Sequence, residues 1–276
     1  MSFSVEGKTA IITGAASGIG HAIGRHFIDQ GANVVLADMS DKRLKSTCDD
    51  LGKLDNVRLF VGDLRERLTV ANLLSTTIDA FDRVDILINA ARSFVVTDPL
   101  DPGDETVDQA LAQNLSVALS VSRAVARRMI SQARAEEGAA EDRNDTRRRD
   151  AGTIVNFSSV AAHRTQPELL GYSISTAAAE QMTRTLAVAL APHHIRVNAI
   201  AIGSVMSASL KDHLGEHPDY RDSILHGTPL ARIGTAQEVA EVAQFLSSSA
   251  SGFMTGQVLN IDGGRSLLDA VQRPAH

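Results

Sequence analysis

Gly14, Gly18 and Gly20 fall between the apolar run Thr9–Thr13 and a helix-forming stretch, Ile19–Phe27. At a strand-to-helix turn such glycines permit a tight bend and let the backbone approach a pyrophosphate. They also leave the first N–H groups of the helix free for the anion. The spacing is Gly-x-x-x-Gly-x-Gly rather than Gly-x-Gly-x-x-Gly. Asp38 ends the second apolar run, 18 residues after Gly20. A carboxylate there accepts hydrogen bonds from the hydroxyls of an adenosine ribose and repels a 2′-phosphate. No Arg or Lys occupies positions 15–17 or 39, so the pattern predicts NAD(H) rather than NADP(H). Asp63-Leu64 follows the third run, where the carboxylate can meet an adenine amino group.

Two other segments carry chemically capable side chains. His213-Leu-Gly-Glu216-His217 has the His-x-x-Glu-His spacing of a zinc-protease helix, but Gly215 and Pro218 make a poor helix there. The segment reads as part of a substrate lid, with no metal. Cys48 is the only cysteine, which excludes an intrachain disulfide and fits a reducing, cytoplasmic setting. Its polar helix-like surroundings read as those of a spare thiol rather than a nucleophile.

The elements that must position these residues are visible as alternation. Thr9–Thr13, Asn33–Ala37, Val57–Val61, Ile86–Ala90, Thr153–Ser158, Arg196–Ile200 and Val258–Ile261 read as short buried strands. Helical patterns lie between them near 18–30, 40–52, 65–81, 104–131, 173–191 and 236–248. Such alternation predicts one α/β domain over residues 1–276, a doubly wound Rossmann-type parallel sheet with helices on both faces. Strand order does not follow from one sequence. Residues 134–150 hold five Arg and six Asp/Glu with no large apolar side chain, so they read as a polar, mobile insertion. Residues 271–276 read as a frayed tail.

Composition narrows the function. The chain has 276 residues, 43% of them hydrophobic, enough for a substantial core. A formal charge of −6 gives no footprint for nucleic acid. The N-terminus carries no apolar signal segment, and no run approaches the roughly 18 apolar residues of a membrane span.

Taken jointly, Thr13–Gly20, Asp38, Asp63-Leu64, Asp85–Ala91, Asn114, Ile154–Ser159, Tyr172, Ile195–Asn198 and Asp262–Gly264 resemble the short-chain dehydrogenase/reductase family over residues 5–268. The resemblance implies a nicotinamide cofactor, hydride exchange between a small secondary alcohol and its ketone, and a homotetramer built through the long helices. It assigns Tyr172 as general acid/base and Ser159, thirteen residues earlier, as the residue that polarises the substrate oxygen. Asn114 would hold a relay water. Cofactor contacts would come from Gly14, Ser17, Gly18, Ile19, Gly20, Asp38, Met39, Asp63, Leu64, Asn89, Ala90, Tyr172, Thr176 and Val205. Residues 93–100 and 204–228 would form most of the substrate pocket.

The resemblance breaks at the fourth catalytic position. The family's lysine, four residues after the tyrosine, is Thr176 here. An ammonium about 5 Å from a phenol, at an effective dielectric near 20, favours the phenolate by roughly 3 kcal/mol, or about two pKa units. Threonine supplies a hydroxyl, able to reach the nicotinamide ribose, but no charge. Nearby, the family's Asn-Asn-Ala-Gly turn reads Asn89-Ala90-Ala91-Arg92, and its Pro-Gly reads Ile202-Gly203. Arg92 is the candidate replacement cation, against a solvent-facing alternative. His163 and Arg164 either line the substrate pocket or lie on the surface. Three readings stay open: an NAD-dependent oxidoreductase with altered acid–base machinery, a cofactor-binding pseudoenzyme serving as a binding or regulatory module, and an incidental Lys-to-Thr replacement in an active lineage.

Overall fold

A computed structural model of the protein describes residues 2–16, 18–139, 150–206, 210–211, 214–215 and 219–269. Seven strands form one parallel sheet: β1 (Thr9–Thr13), β2 (Asn33–Asp38), β3 (Val57–Val61), β4 (Ile86–Asn89), β5 (Gly152–Ser159), β6 (Ile195–Ile202) and β9 (Val258–Ile261). Their order is β3-β2-β1-β4-β5-β6-β9. The chain leaves β1 toward β2 on one side and returns to β4 on the other. That reversal opens a crevice at the carboxyl ends of β1 and β4, where such sheets bind ligands. Two short strands outside the sequence pattern, β7 (Val205–Met206) and β8 (Gly234–Thr235), pair beside this end.

Alternation along each strand divides the core into two layers. Ala10, Ile12, Val34, Leu36, Ile86, Ile88 and Val155 face α1 (Gly18–Asp29), α2 (Asp41–Cys48) and α7 (Ala236–Ser247). Ile11, Val35, Leu87, Ile154 and Val197 face α3 (Arg67–Phe81), the long helix α4 and α5 (Leu170–Leu190). Burial on both faces is why the five inner strands read as nearly continuous apolar runs; β3 and β9, expected to be buried, are edge strands and only partly so. A further short helix, α6 (Asp219–His226), follows β7.

Helix α4 runs as Thr106–Ala110, a π turn at Leu111–Ser116, and Val117–Ala139. It is longer than the expected 104–131. Residues 134–139, expected to begin the polar insertion, continue the helix, and Arg83 Nη1 meets Glu136 at 3.4 Å. Residues 140–149 and the tail 271–276 lie outside the described residues. Helix α5 begins three residues before its expected start, because Pro167 opens a 3₁₀ turn that feeds it. Tyr172 thereby falls in its first turn.

A buried arginine fastens the far end of the sheet. Arg196 on β6 donates to the carbonyls of Leu246 (3.1 Å), Ser248 (3.2 Å) and Ser251 (3.0 Å), and its Nε reaches Asp150 at 3.1 Å. Leu246 lies in the last turn of α7, where the guanidinium adds to the hydrogen bonds that Ser251 Oγ already gives the Leu246 and Ser248 carbonyls. Replacing Arg196 with Met removes these charge-assisted bonds, while each carbonyl keeps another donor and the partly exposed Asp150 carboxylate turns to water. We expect a loss of roughly 2 kcal/mol in urea unfolding; a loss below about 0.5 kcal/mol would contradict this role.

Candidate active site

The glycine turn is packed too tightly for side chains. Gly14 has φ +69°, and a Cβ there would lie 2.7 Å from Ala91 Cα. A Cβ on Gly20 would lie 2.3 Å from the Gly14 carbonyl oxygen. Gly18 has φ +57° and opens α1, while Ile19 packs against the core. Ser17 lies outside the described residues. The Asp38 carboxylate accepts from Ala16 N–H at 3.1 Å and from Ser40 N–H at 2.9 Å. It therefore ties the turn to the end of β2, and its remaining lone pairs are available to ribose hydroxyls. Met39 beside it is exposed. This bare backbone cradle with a carboxylate at its rim fits a dinucleotide.

Two expected cofactor residues are engaged by the protein itself. Asp63 accepts three hydrogen bonds from the Arg65 guanidinium, and these hold its carboxyl below the usual range. Leu64 is buried in the core. Asn89 is buried and donates from Nδ2 to Ser122 Oγ (2.9 Å) and Asn156 Oδ1 (2.8 Å), joining β4, β5 and α4. Ala90 is half-buried, and the neighbouring Ala91 backbone faces Gly14. The β4 loop thus presents main chain to the crevice.

The catalytic candidates gather at the carboxyl end of β5. Ser159 is the last residue of that strand and is buried. Its Oγ accepts from Ala161 N–H at 3.2 Å, which leaves its own proton for another acceptor. Ala161 packs with Leu169 and Tyr172, placing Tyr172 beside the strand end. The Phe94 ring meets the Tyr172 ring edge-on at 5.2 Å between centroids. Asn114 sits in the π turn of α4, the kind of irregularity that re-aims a side chain in a long helix. It accepts from Ser93 N–H (2.7 Å) and donates to Ser93 O (3.0 Å) and to Ser175 Oγ (3.0 Å).

Thr176 is 1% exposed, and its hydroxyl proton points at the carbonyls of Tyr172 (3.0 Å) and Ser173 (3.1 Å) one turn back. The hydroxyl expected to reach a nicotinamide ribose therefore spends its proton within the helix and keeps its lone pairs to accept with. Arg92 does not face solvent: it is half-buried, and its Nη1 donates to Ser158 O at 2.8 Å.

His163 and Arg164 also have protein partners. His163 Nε2 meets Glu180 Oε1 at 3.0 Å, and Arg164 donates to the Ser266 carbonyl. Glu180, unmarked by any motif, is buried and also receives Ser158 Oγ (2.9 Å) and Arg184 (3.1 Å). Val205 is buried on β7. Ser207, His213, Glu216 and His217 lie outside the described residues, among which no group of three His, Cys, Asp or Glu could hold a metal. A cavity of about 680 Å³, bounded by Leu225, Thr228, Pro229 and Leu268, lies between the end of α6 and the segment after β9. No helix among the described residues is long and apolar enough to cross a membrane.

Comparison with known proteins gives these positions a context. A family model described as enoyl-(acyl carrier protein) reductase matches residues 14–266. A 3-oxoacyl-[acyl-carrier-protein] reductase of Thermotoga maritima is 35% identical over 266 residues, covering 94% of this chain and 98% of the relative. A galactitol 2-dehydrogenase (L-tagatose-forming) of Cereibacter sphaeroides is 33% identical over 95% of this chain and 96% of its own. Among solved structures, a 7α-hydroxysteroid dehydrogenase complexed with NADH and 7-oxo glycochenodeoxycholic acid superposes with a TM-score of 0.83. It is 29% identical and covers 95% of this chain and 96% of that one.

Cys48 lies beneath the glycine turn, its Sγ 3.8 Å from Ala15 O and 3.5 Å from His21 Nδ1. Burial pushes the thiol up to about 11. Burial, then the charge of Arg25, lowers the pKa of His21, so the imidazole supplies no cation to activate it. The thiolate fraction at pH 8 is then more than about 100-fold below that of a free cysteine. We expect iodoacetamide at pH 8 to label the folded protein correspondingly slowly and the urea-unfolded protein fully. Rapid labelling of the folded chain would overturn the assignment of an inert thiol.

Proposed function

We propose a function on one premise: the chain belongs to the short-chain dehydrogenase/reductase family. It is an oxidoreductase of that type, and the reaction we assign is hydride exchange between NAD(H) and a small secondary alcohol or its ketone. The observation that carries this reading is the meeting of Ser159, Tyr172 and the Asn114 π turn at one end of β5, beside the glycine cradle.

When bound, NAD+ accepts a hydride from the carbinol carbon. The chain's own residues manage the proton. Tyr172, as phenolate, takes the hydroxyl proton of the alcohol at its phenolic oxygen; in the reverse direction it returns that proton to the ketone oxygen. Ser159 donates its free hydroxyl proton to the same substrate oxygen and holds the charge that develops there. Asn114 locks Ser93 and Ser175, so the loop after β4 and the first turns of α5 keep one spacing.

Asp38 supports NAD over NADP, because its carboxylate is fixed where the adenosine ribose would lie. A homotetramer through α4 and α5 is supported by the apolar side chains that α5 leaves outside the monomer's core, notably Ile174 and Val188. The free Cys48 suits a cytoplasmic setting. The second reading, a cofactor-binding module without turnover, draws on one observation, the buried and uncharged Thr176.

Titration of nicotinamide fluorescence should show NADH bound at least about tenfold more tightly than NADPH, since one unscreened repulsion of about 1.4 kcal/mol suffices. Equal affinities would remove the role given to Asp38. A screen of secondary alcohols with NAD+ should show turnover that Tyr172→Phe abolishes. NADH binding without any Tyr172-dependent turnover would instead select the binding module. Light scattering should give a tetramer mass; a monomer would remove the α4/α5 interface.

A further inference from the structure

Two departures from the family pattern flank Tyr172. The cation expected on α5 is missing, and a cation absent from the family's turn stands on the loop after β4. The Arg92 guanidinium carbon lies 5.7 Å from the centroid of the Tyr172 ring and 5.8 Å from that of Phe157. Its Nη1 is bonded to Ser158 O. Deepening the oxidoreductase reading above, we propose that Arg92 is the positive charge of this active site, replacing from the β4 loop the lysine that Thr176 displaced from α5.

Three features make this more than proximity. First, the backbone on either side of Arg92 is held. Ala91 N–H donates to Thr13 Oγ1 at 3.1 Å, and Ser93 is bonded twice to Asn114. The side chain thus springs from a segment pinned to β1 on one side and to the π turn on the other. A charge fixed in advance costs no reorganisation when a phenolate forms. Second, the charge is not spent elsewhere. Among the described residues no carboxylate lies within 4.0 Å of Arg92. Glu180 is the acid that shares a partner with Arg92, namely Ser158. It reaches Ser158 through the hydroxyl, while Arg92 takes the carbonyl, and its own charge is met by Arg184 and His163. Phe94, Ala161 and Leu169, which pack on Tyr172, are uncharged. Third, Thr176 is short and folded onto its own helix, so no α5 side chain at that position competes for the space.

The chain offers a direct test, because it has two tyrosines and no tryptophan. In a Tyr220→Phe background, Tyr172 is the only source of the near-ultraviolet phenolate band, and its pH titration needs neither cofactor nor substrate. Arg92→Gln removes the charge but keeps a donor for Ser158 O. We expect the band to appear at higher pH in this variant than in the parent protein. Arg92→Lys should leave it near the parent. The second readout is a rescue. With an alcohol found by the screen above, Arg92→Gln should lower kcat near neutrality by roughly 10- to 100-fold with NADH affinity unchanged. Adding Thr176→Lys to Arg92→Gln should restore most of that loss, whereas Thr176→Lys alone should gain little. A purely structural Arg92 would not be rescued by a lysine on α5. An unmoved phenolate band in Arg92→Gln overturns the proposal. If no alcohol is turned over, the oxidoreductase reading fails, and the band still decides whether Arg92 is the charge facing Tyr172.

Discussion

The approach of Gly14 to Ala91 sets the scale of the whole site. A methyl group on Gly14 would overlap the Ala91 backbone, so the turn that follows β1 and the loop that follows β4 touch through main chain alone. β1 and β4 are hydrogen-bonded neighbours, in register from Ala10 with Ile86 to Thr13 with Asn89. Their carboxyl ends therefore arrive together, and what each carries beyond the last pair is forced into one crevice. From β1 comes the start of α1, with its free N–H groups. From β4 comes Arg92. Asn89 then extends the same constraint through Asn156 to β5 and through Ser122 to α4, so that Ser159 and the π turn are fixed relative to the cradle by buried bonds.

Buried polar bonds of this kind position the site more sharply than apolar packing can. The two core layers tolerate exchange of one aliphatic side chain for another with modest cost. Asn89, Asn114 and Asn156 admit no such exchange, because each amide makes directed bonds in a setting where an unpaired group costs about 1–3 kcal/mol. Asn114 couples these demands: one side chain satisfies both backbone groups of Ser93 and also reaches Ser175 on α5. The π turn is the local distortion of α4 that allows one amide to serve both neighbours.

The five inner strands of the sheet were legible because burial on both faces leaves an apolar run that no surface element carries, whereas the edge strands β3 and β9 are only partly buried and were legible from short apolar runs alone. The glycine turn was legible because close backbone contact admits only glycine at Gly14 and Gly20. Strand order was not, since it depends on pairings between segments far apart in the chain. The continuation of α4 to Ala139 was hidden for a related reason: Arg134–Ala139 shows no apolar stripe, and the contact of Glu136 with Arg83 is long-range. The π turn has no residue-type signature at all. The pairing of His163 with Glu180 was not legible either, because Glu180 looks like an ordinary exposed helical glutamate until α5 is packed on β5.

The same packing explains how a lysine can be lost from α5 without leaving a hole. A threonine at position 176 satisfies its hydroxyl within the helix, as Thr183 does toward Ala179 two turns along the same face, so a threonine there leaves no unpaired buried hydroxyl. What it removes is charge, and charge acts over several ångströms and need not come from the same element. The β4 loop is well suited to supply it. Its backbone must lie against Gly14 whatever its side chains are, and a glycine at position 92 would contribute nothing but conformational freedom. An arginine there inherits a position already fixed by β1 and the Asn114 clamp, and the Phe157 and Tyr172 rings lie within cation–π range of its guanidinium. The fold fixes where a cation must act; which strand delivers it is left to the sequence.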